Sequence, residues 1–254
     1  MITRQKSRGL PALELRLQAA LVIFWVLGFR AMTRPLIIAI DGPSASGKST
    51  LGRMLARQLG LLYIDTGSMY RAVALAVIES SANEQDHVAA SSLAERVKID
   101  LAGDPDSLSV WLNGRDVTRR IRDEDVTHVA SIVSTIPAVR RAMVQQQREL
   151  GKRGAVMNGR DIGTVVFPDA DIKFFLDASV AERAERRFTE ERENNPGVQY
   201  EQTLADITDR DARDTARQDS PLVAADDAII LDSTGLSIDE VFQRMMAVVS
   251  GRKK

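Results

Sequence analysis

An α/β fold, a parallel sheet flanked by helices, is predicted by three observations. Five apolar runs of strand length recur along the chain: Leu36–Ile40, Leu61–Ile64, Gly154–Met157, Ile172–Leu176 and Ala228–Leu231. Helical patterns separate them, and alternation of this kind implies parallel strands covered by helices on both faces. The first run leads directly into a complete GxxxxGK[S/T] string made by Gly42, Pro43, Ser44, Ala45, Ser46, Gly47, Lys48 and Ser49, with Thr50 after it. At 254 residues and 44% hydrophobic content, the chain is long enough for one such domain with insertions.

The glycine-rich turn lets consecutive backbone N–H groups point at a polyphosphate, and the helix behind it adds the positive end of its dipole. Lys48 is placed to reach the β- and γ-phosphates of a nucleoside triphosphate, and the Ser49 hydroxyl to ligate Mg²⁺. That helix is predicted over Lys48–Leu59, with Leu51, Met54, Leu55 and Leu59 on one face and Gly60 as its stop. About ninety residues separate the second and third apolar runs, too many for a simple crossover, which reads as an inserted subdomain. It contains a candidate antiparallel hairpin, Val97–Leu101 with Leu108–Leu112, joined through Gly103-Asp104-Pro105-Asp106. Pro137–Leu150 is predicted to be a helix returning to the sheet, ended by Gly151. Between the fourth and fifth runs, a charged helix over Ala181–Glu193 is followed by the turn Asn194-Asn195-Pro196-Gly197 and a second helix from about Tyr200 to Arg217.

Charge and composition remove several function classes. With 34 Lys plus Arg against 35 Asp plus Glu, the net charge of −1 gives no general attraction to a nucleic acid. Without cysteine there is no disulfide, thiolate nucleophile or zinc–thiolate site, and two histidines argue against a histidine metal cluster. No exposed apolar stripe calls for a partner, so a monomer is expected.

Arginines recur where open α/β sheets bind ligands, beyond the carboxyl ends of the strands. Arg71 follows the second run in Asp65-Thr66-Gly67-Ser68-Met69-Tyr70-Arg71, and Arg160 and Asp161 follow the third in Asn158-Gly159-Arg160-Asp161. Arg210, Asp214 and Arg217 share one helical stripe by their spacing. Taken alone, Arg183, Arg186 and Arg187 suit ordinary surface ion pairing. A triphosphate loop facing several arginines suits phosphoryl transfer to an acceptor that is itself a phosphate. Such an acceptor is already anionic and needs no general base, so catalysis rests on alignment and charge neutralisation.

At these residues the chain resembles the bacterial cytidylate kinases, nucleoside monophosphate kinases of the P-loop class. The matching segments are IAIDGPSASGKST at 38–50, YIDTGSMYRAVAL at 63–75, NGRDIGTVVFPDADIKFFLDAS at 158–179, DRDARD at 209–214 and LDSTGLSIDEV at 231–241. The resemblance implies a P-loop kinase fold: a five-stranded parallel sheet flanked by helices, an NMP-binding insert with a small antiparallel sheet, and a short lid. It divides the kinase domain, 34–250, into a core of about 34–65, 152–180 and 205–250, an insert of about 66–151 and a lid of about 181–204. It implies transfer of the ATP γ-phosphate, with Mg²⁺, to CMP or dCMP. From composition, a cytoplasmic protein with no nucleic acid or membrane partner is expected. By it, Arg71, Arg160 and Arg217 contact the acceptor phosphate, Arg210 and Asp214 hold the sugar, and Ser131, Arg140 and Asp161 read cytosine. Thr66, where the family often has serine, offers a hydroxyl to phosphate, and Arg186 and Arg187 fall in the lid, where the family closes arginines over the transferring group. An arginine donating to the cytosine carbonyl and a carboxylate accepting from its amine would reject uracil.

Rival readings fit less well. A regulatory GTPase needs Asn-Lys-x-Asp after a strand, and the nearest string, Asn158-Gly159-Arg160-Asp161, has glycine for the lysine. Another small-molecule kinase, such as a uridylate kinase, is the serious alternative, and the cytosine-facing set separates the two. A non-catalytic or membrane-tethered module leaves the arginines unexplained. It would rest on residues 1–33, where Arg4, Lys6 and Arg8 precede the apolar stretch Ala19–Phe29. As a helix that stretch covers about 17 Å, short of the ~30 Å of a bilayer core. The expectation is that Met32 is the true start and that the preceding residues are a mis-extended reading frame.

Overall fold

A computed structural model describes residues 35–83, 85–193 and 195–252, so the reading of residues 1–33 and the placement of Asn194 lie outside the described residues. The chain enters at β1 (Ile37–Asp41) and passes through the phosphate loop into α1 (Lys48–Leu59), β2 (Leu62–Asp65) and α2 (Thr66–Glu79). The insert continues with α3 (His87–Arg96), β3 (Ile99–Ala102), β4 (Ser109–Leu112), β5 (Arg115–Asp116), α4 (Glu124–Val133) and α5 (Pro137–Gly151). The chain returns through β6 (Ala155–Asn158), a π-helical turn at Ile162–Val166 and β7 (Ile172–Asp177). Then come α6 (Val180–Arg192), α7 (Tyr200–Thr215), β8 (Ile229–Asp232) and α8 (Ile238–Gly251).

Among the described residues, five strands form one parallel sheet in the order β2-β6-β1-β7-β8. The first strand is thus central, and the order reverses beside it, where such sheets open a crevice for ligands. Alternate residues of the strands serve opposite layers. Ile38 and Ile40 pack with Leu51, Leu55, Val241 and Met245 of α1 and α8, while Ala39 and Met157 face α2, α4 and α5. Leu51 and Leu55 are fully buried, each stabilising the fold by about 2 kcal/mol on area bookkeeping.

α1 has the predicted bounds and ends at Gly60, whose φ of 65° is the left-handed conformation that glycine adopts without strain. Each parallel strand ends one residue beyond its apolar run, on Asp41, Asp65, Asn158, Asp177 or Asp232. The ladder continues through these polar residues because the carboxyl ends of the strands face the cleft rather than the core. The hairpin pairs Ile99 with Leu112 and Leu101 with Val110, and β5 adds a third strand that the apolar pattern missed. Its signal was Asn113-Gly114, both at positive φ, the pair that closes a two-residue hairpin turn. α7 stops at Thr215, two residues before the predicted end, and the Leu222 N–H returns to the Asp214 carbonyl at 2.9 Å. Pro221 follows in a segment that does not continue the helix.

Candidate active site

Gly42 leaves β1 with φ 144°, and a Cβ there would lie 2.0 Å from the Leu176 carbonyl oxygen. Only glycine fits. Ala45 and Gly47 also adopt positive φ, curling the loop around its own N–H groups. Gly47 caps α1 without a side-chain hydrogen bond, so the first-turn N–H groups remain available to an anion. Lys48 is buried, with Nζ donating to the Pro43 carbonyl and to Ser46 Oγ at 3.2 Å. Burial, with Arg160 and Arg210 nearby, holds its pKa well below the usual lysine range, and Asp41 opposes that. A polyphosphate would restore the charged form.

Ser49 and Thr50 open α1 at the exposed side of the loop. Ser49 Oγ accepts from Asn158 Nδ2 at 3.1 Å, and Asn158 Oδ1 is buried without a hydrogen-bond partner among the described residues. A hydroxyl beside an unpartnered amide oxygen suits a hard cation such as Mg²⁺. Among the described residues, no cluster of three or more His, Asp or Glu forms a protein-only metal cage.

Across the cleft, Asp214 organises the arginines. Its Oδ2 accepts from Arg160 Nε at 2.8 Å and its Oδ1 from Arg217 Nη2, which also donates to Ser134 Oγ at 3.0 Å. Burial pushes the Asp214 pKa up, but Arg160, Arg217 and Arg210 outweigh it and hold the carboxyl below the usual carboxylate range. Arg210 is pushed down to about 10 by burial and then by Arg160, with Asp214 opposing and Arg71 and Arg187 adding to the fall. Arg71 reaches Asp65 Oδ2 at 3.1 Å and Ser68 Oγ at 2.7 Å. The buried Nε of Arg71 and of Arg217 has no hydrogen-bond partner among the described residues. Unsatisfied guanidinium donors packed beside like charges are matched by an anionic ligand.

Next to this group, Arg140 Nη2 and Asp161 Oδ2 form a buried pair at 2.6 Å. The Arg140 guanidinium lies 5.4 Å from the centre of the Tyr70 ring and also donates to the Ser134 carbonyl at 3.1 Å. Burial lowers its pKa, yet Tyr70 and Asp161 outweigh that and raise it above the ordinary arginine value. Ser131 is held from α7, accepting from Arg213 Nη1 at 2.9 Å while donating to the His128 carbonyl at 2.8 Å.

Other expected residues are engaged elsewhere. Thr66 donates its hydroxyl to the Asn158 carbonyl at 2.8 Å, and Gly159 makes room for it, since a Cβ at 159 would lie 2.8 Å from Thr66 Oγ1. Arg186 is tied to the turn after β8, donating to the Ser233 carbonyl at 2.8 Å and Ser233 Oγ at 3.0 Å. Arg187 pairs along its own helix with Glu191 at 2.7 Å and Glu190 at 3.2 Å.

Several site-building residues went unread in the sequence. Asp41 accepts from the N–H groups of Ile162 at 2.8 Å and Gly163 at 2.7 Å, fixing the turn that follows Asp161. Burial, the largest effect, pushes its pKa up to about 6 in spite of those two bonds. Its signal, and that of Asp65 and Asn158, was a polar residue closing an apolar strand. Ser134 carries no local signal.

A phosphate loop on the central strand of a parallel sheet, faced by arginines from α2, α5, α7 and the turn after β6, defines a P-loop kinase. A model of the cytidylate kinase family matches residues 38–251. The chain is 49% identical over 220 residues to the cytidylate kinase of Solibacter usitatus, covering 85% of this chain and 93% of the relative. It is 49% identical over 224 residues to that of Desulforamulus reducens, covering 87% and 100%. With the cytidylate kinase of Bacillus velezensis the identity is 43% over 224 residues, covering 88% and 100%. The chain belongs to the cytidylate kinase family, an enzyme family of nucleoside monophosphate kinases.

Proposed function

We propose that this enzyme transfers the γ-phosphoryl group of ATP to CMP and dCMP, giving ADP with CDP or dCDP. The observation that carries this reading is the buried Arg140–Asp161 pair, set beside the Asp214 arginine group and across from the phosphate loop. Loop N–H groups and Lys48 hold the β- and γ-phosphates of the donor, with Ser46, Gly47 and Thr50 completing its cradle. Ser49, with Asn158 beside it, holds Mg²⁺, which when bound draws charge from the phosphate oxygens. Arg71, Arg160 and Arg217 take the acceptor phosphate, whose oxygen attacks the γ-phosphorus as the bond to ADP breaks. Arg210 and Asp214 position the sugar, and Thr66 closes the acceptor side.

Arg140 and Ser131 face the cytosine carbonyl, and Asp161 accepts from the exocyclic amine. Uracil offers a carbonyl at that place, so a carboxylate opposite it is left unpaired and UMP is disfavoured. Arg186 and Arg187, in a lid of about 181–204, close toward the transferring group from their present partners, while the insert of about 66–151 carries the acceptor. The enzyme works as a monomer in the cytoplasm, where ATP is available. Among the described residues, no helix is long and apolar enough to cross a membrane.

The test is steady-state ADP formation from ATP and Mg²⁺ with CMP, dCMP, UMP, AMP and GMP in parallel. Turnover confined to CMP and dCMP supports the whole reading. Preference for UMP would overturn the base assignment in favour of a uridylate kinase, and no turnover with any acceptor would overturn the kinase reading.

A further inference from the structure

Arg183 on α6 is a buried arginine that the reaction outlined above leaves without a task, its side chain only 4% exposed. Three parts of the molecule meet on its guanidinium. Nε donates to the Ala178 carbonyl at 2.9 Å, just beyond the end of β7. Nη1 donates to the carbonyl of Ser44, in the middle of the phosphate loop, at 3.2 Å. The same nitrogen pairs with Asp211 Oδ2 on α7 at 2.6 Å.

The physical demand on each side is different. A loop that turns its N–H groups toward a phosphate must turn carbonyls outward, and a buried outward carbonyl needs a donor. Ser44 finds one in Arg183, next to the positive-φ residue Ala45 where the loop curls. Asp211 adjoins Arg210 and lies one helical turn before Asp214, the residue that gathers Arg160 and Arg217. One rigid, planar group therefore bridges the donor loop to the helix that carries the acceptor-side residues.

We infer that Arg183 is a positioning residue that sets α7 and its acceptor-binding side chains against the phosphate loop, through Asp211 on one side and the Ser44 carbonyl on the other. The inference rests on the kinase reading. Misplacing one half of a phosphoryl-transfer site against the other harms alignment in the transition state more than binding of either substrate. Lysine in place of Arg183 keeps the charge but has only one nitrogen, so it cannot hold the Ala178 carbonyl while also meeting Ser44 and Asp211 in a fixed plane.

The experiment is a double-mutant cycle on Arg183→Lys and Asp211→Asn, measuring kcat, both KM values and the melting temperature for wild type, each single variant and the pair. We expect each single variant to lose about tenfold in kcat, with KM for ATP and CMP each within about threefold of wild type. The pair is expected to be no slower than the worse single variant, because both changes break one linkage. Wild-type kcat in Asp211→Asn, a loss confined to KM, or losses that multiply in the pair would each overturn the inference. A purely structural role would lower the melting temperature and the folded fraction while leaving kcat per folded molecule intact, which also overturns it. Should Arg183→Lys not fold, Asp211→Asn, at a partly exposed position, decides by the same kcat criterion. Wild type is assayed alongside on CMP. If it prefers another nucleotide, the base assignment falls while the cycle, run on that acceptor, still tests the linkage.

Discussion

Lys48 illustrates how a single side chain is held ready at a cost. Burial and neighbouring arginines depress its pKa, an electrostatic mismatch that bound phosphates would relieve. Lys48→Ala should lower kcat by at least about a hundredfold while the protein stays folded, checked by turnover and circular dichroism together. Asp161 is bound up with Arg140, so truncating it to alanine would strand a buried guanidinium at about 3–5 kcal/mol. Asp161→Asn keeps the volume and replaces one acceptor by a donor. It should narrow the preference for CMP over UMP by about tenfold, read as the ratio of kcat/KM for the two acceptors.

Asp41 makes a pH prediction with a definite sign. Its pKa rises from 3.8 to about 6 on folding, so its stabilising contribution is complete below the unfolded value and disappears as pH rises through about 6. Asp41→Asn removes that titration. Thermal melts at pH 5 and pH 8 should show wild type gaining on the variant at the lower pH, and an equal gap at both would contradict the raised pKa.

At the scale of elements, the phosphate loop depends on a backbone that only glycine permits. Gly42 leaves β1 at a φ of 144°, beside β7, where a Cβ would run into the Leu176 carbonyl oxygen. Gly42→Ala would force the two apart or push the loop out of shape, and kcat/KM for ATP should fall by at least about tenfold in steady-state assays. α1 and its stop were legible because apolar spacing and a terminal glycine are local signals. β5 was not, since two exposed residues, Arg115 and Asp116, show no apolar alternation and are strand only by pairing with β4. The end of α7 was misjudged for a related reason: Arg217 continues the helical spacing of Arg210 and Asp214, while the backbone has already turned away.

For the whole molecule, the charges are nearly balanced, and the cleft likewise interleaves Lys48, Arg71, Arg160, Arg210 and Arg217 with Asp41, Asp65 and Asp214. Attraction for nucleotides is therefore local and short in range. Raising the salt from about 0.05 to 0.5 M should reduce kcat/KM for CMP by only a few-fold, because the Debye length shrinks but no long-range field is lost. A hundredfold loss would point instead to steering by the whole surface.

The fold class, the phosphate loop with its helix, and the arginines after the strands are legible in the residues alone. These depend on spacing and residue type within a few positions, which the chain carries along its own length. How those side chains are shared depends on the folded arrangement. Arg140 meets Asp161 across 21 positions, Arg160 meets Asp214 across 54, and Arg183 meets Ser44 across 139. Each of these contacts joins a helix to a loop at the carboxyl ends of the parallel strands, and no local pattern records which partner a buried guanidinium will find there.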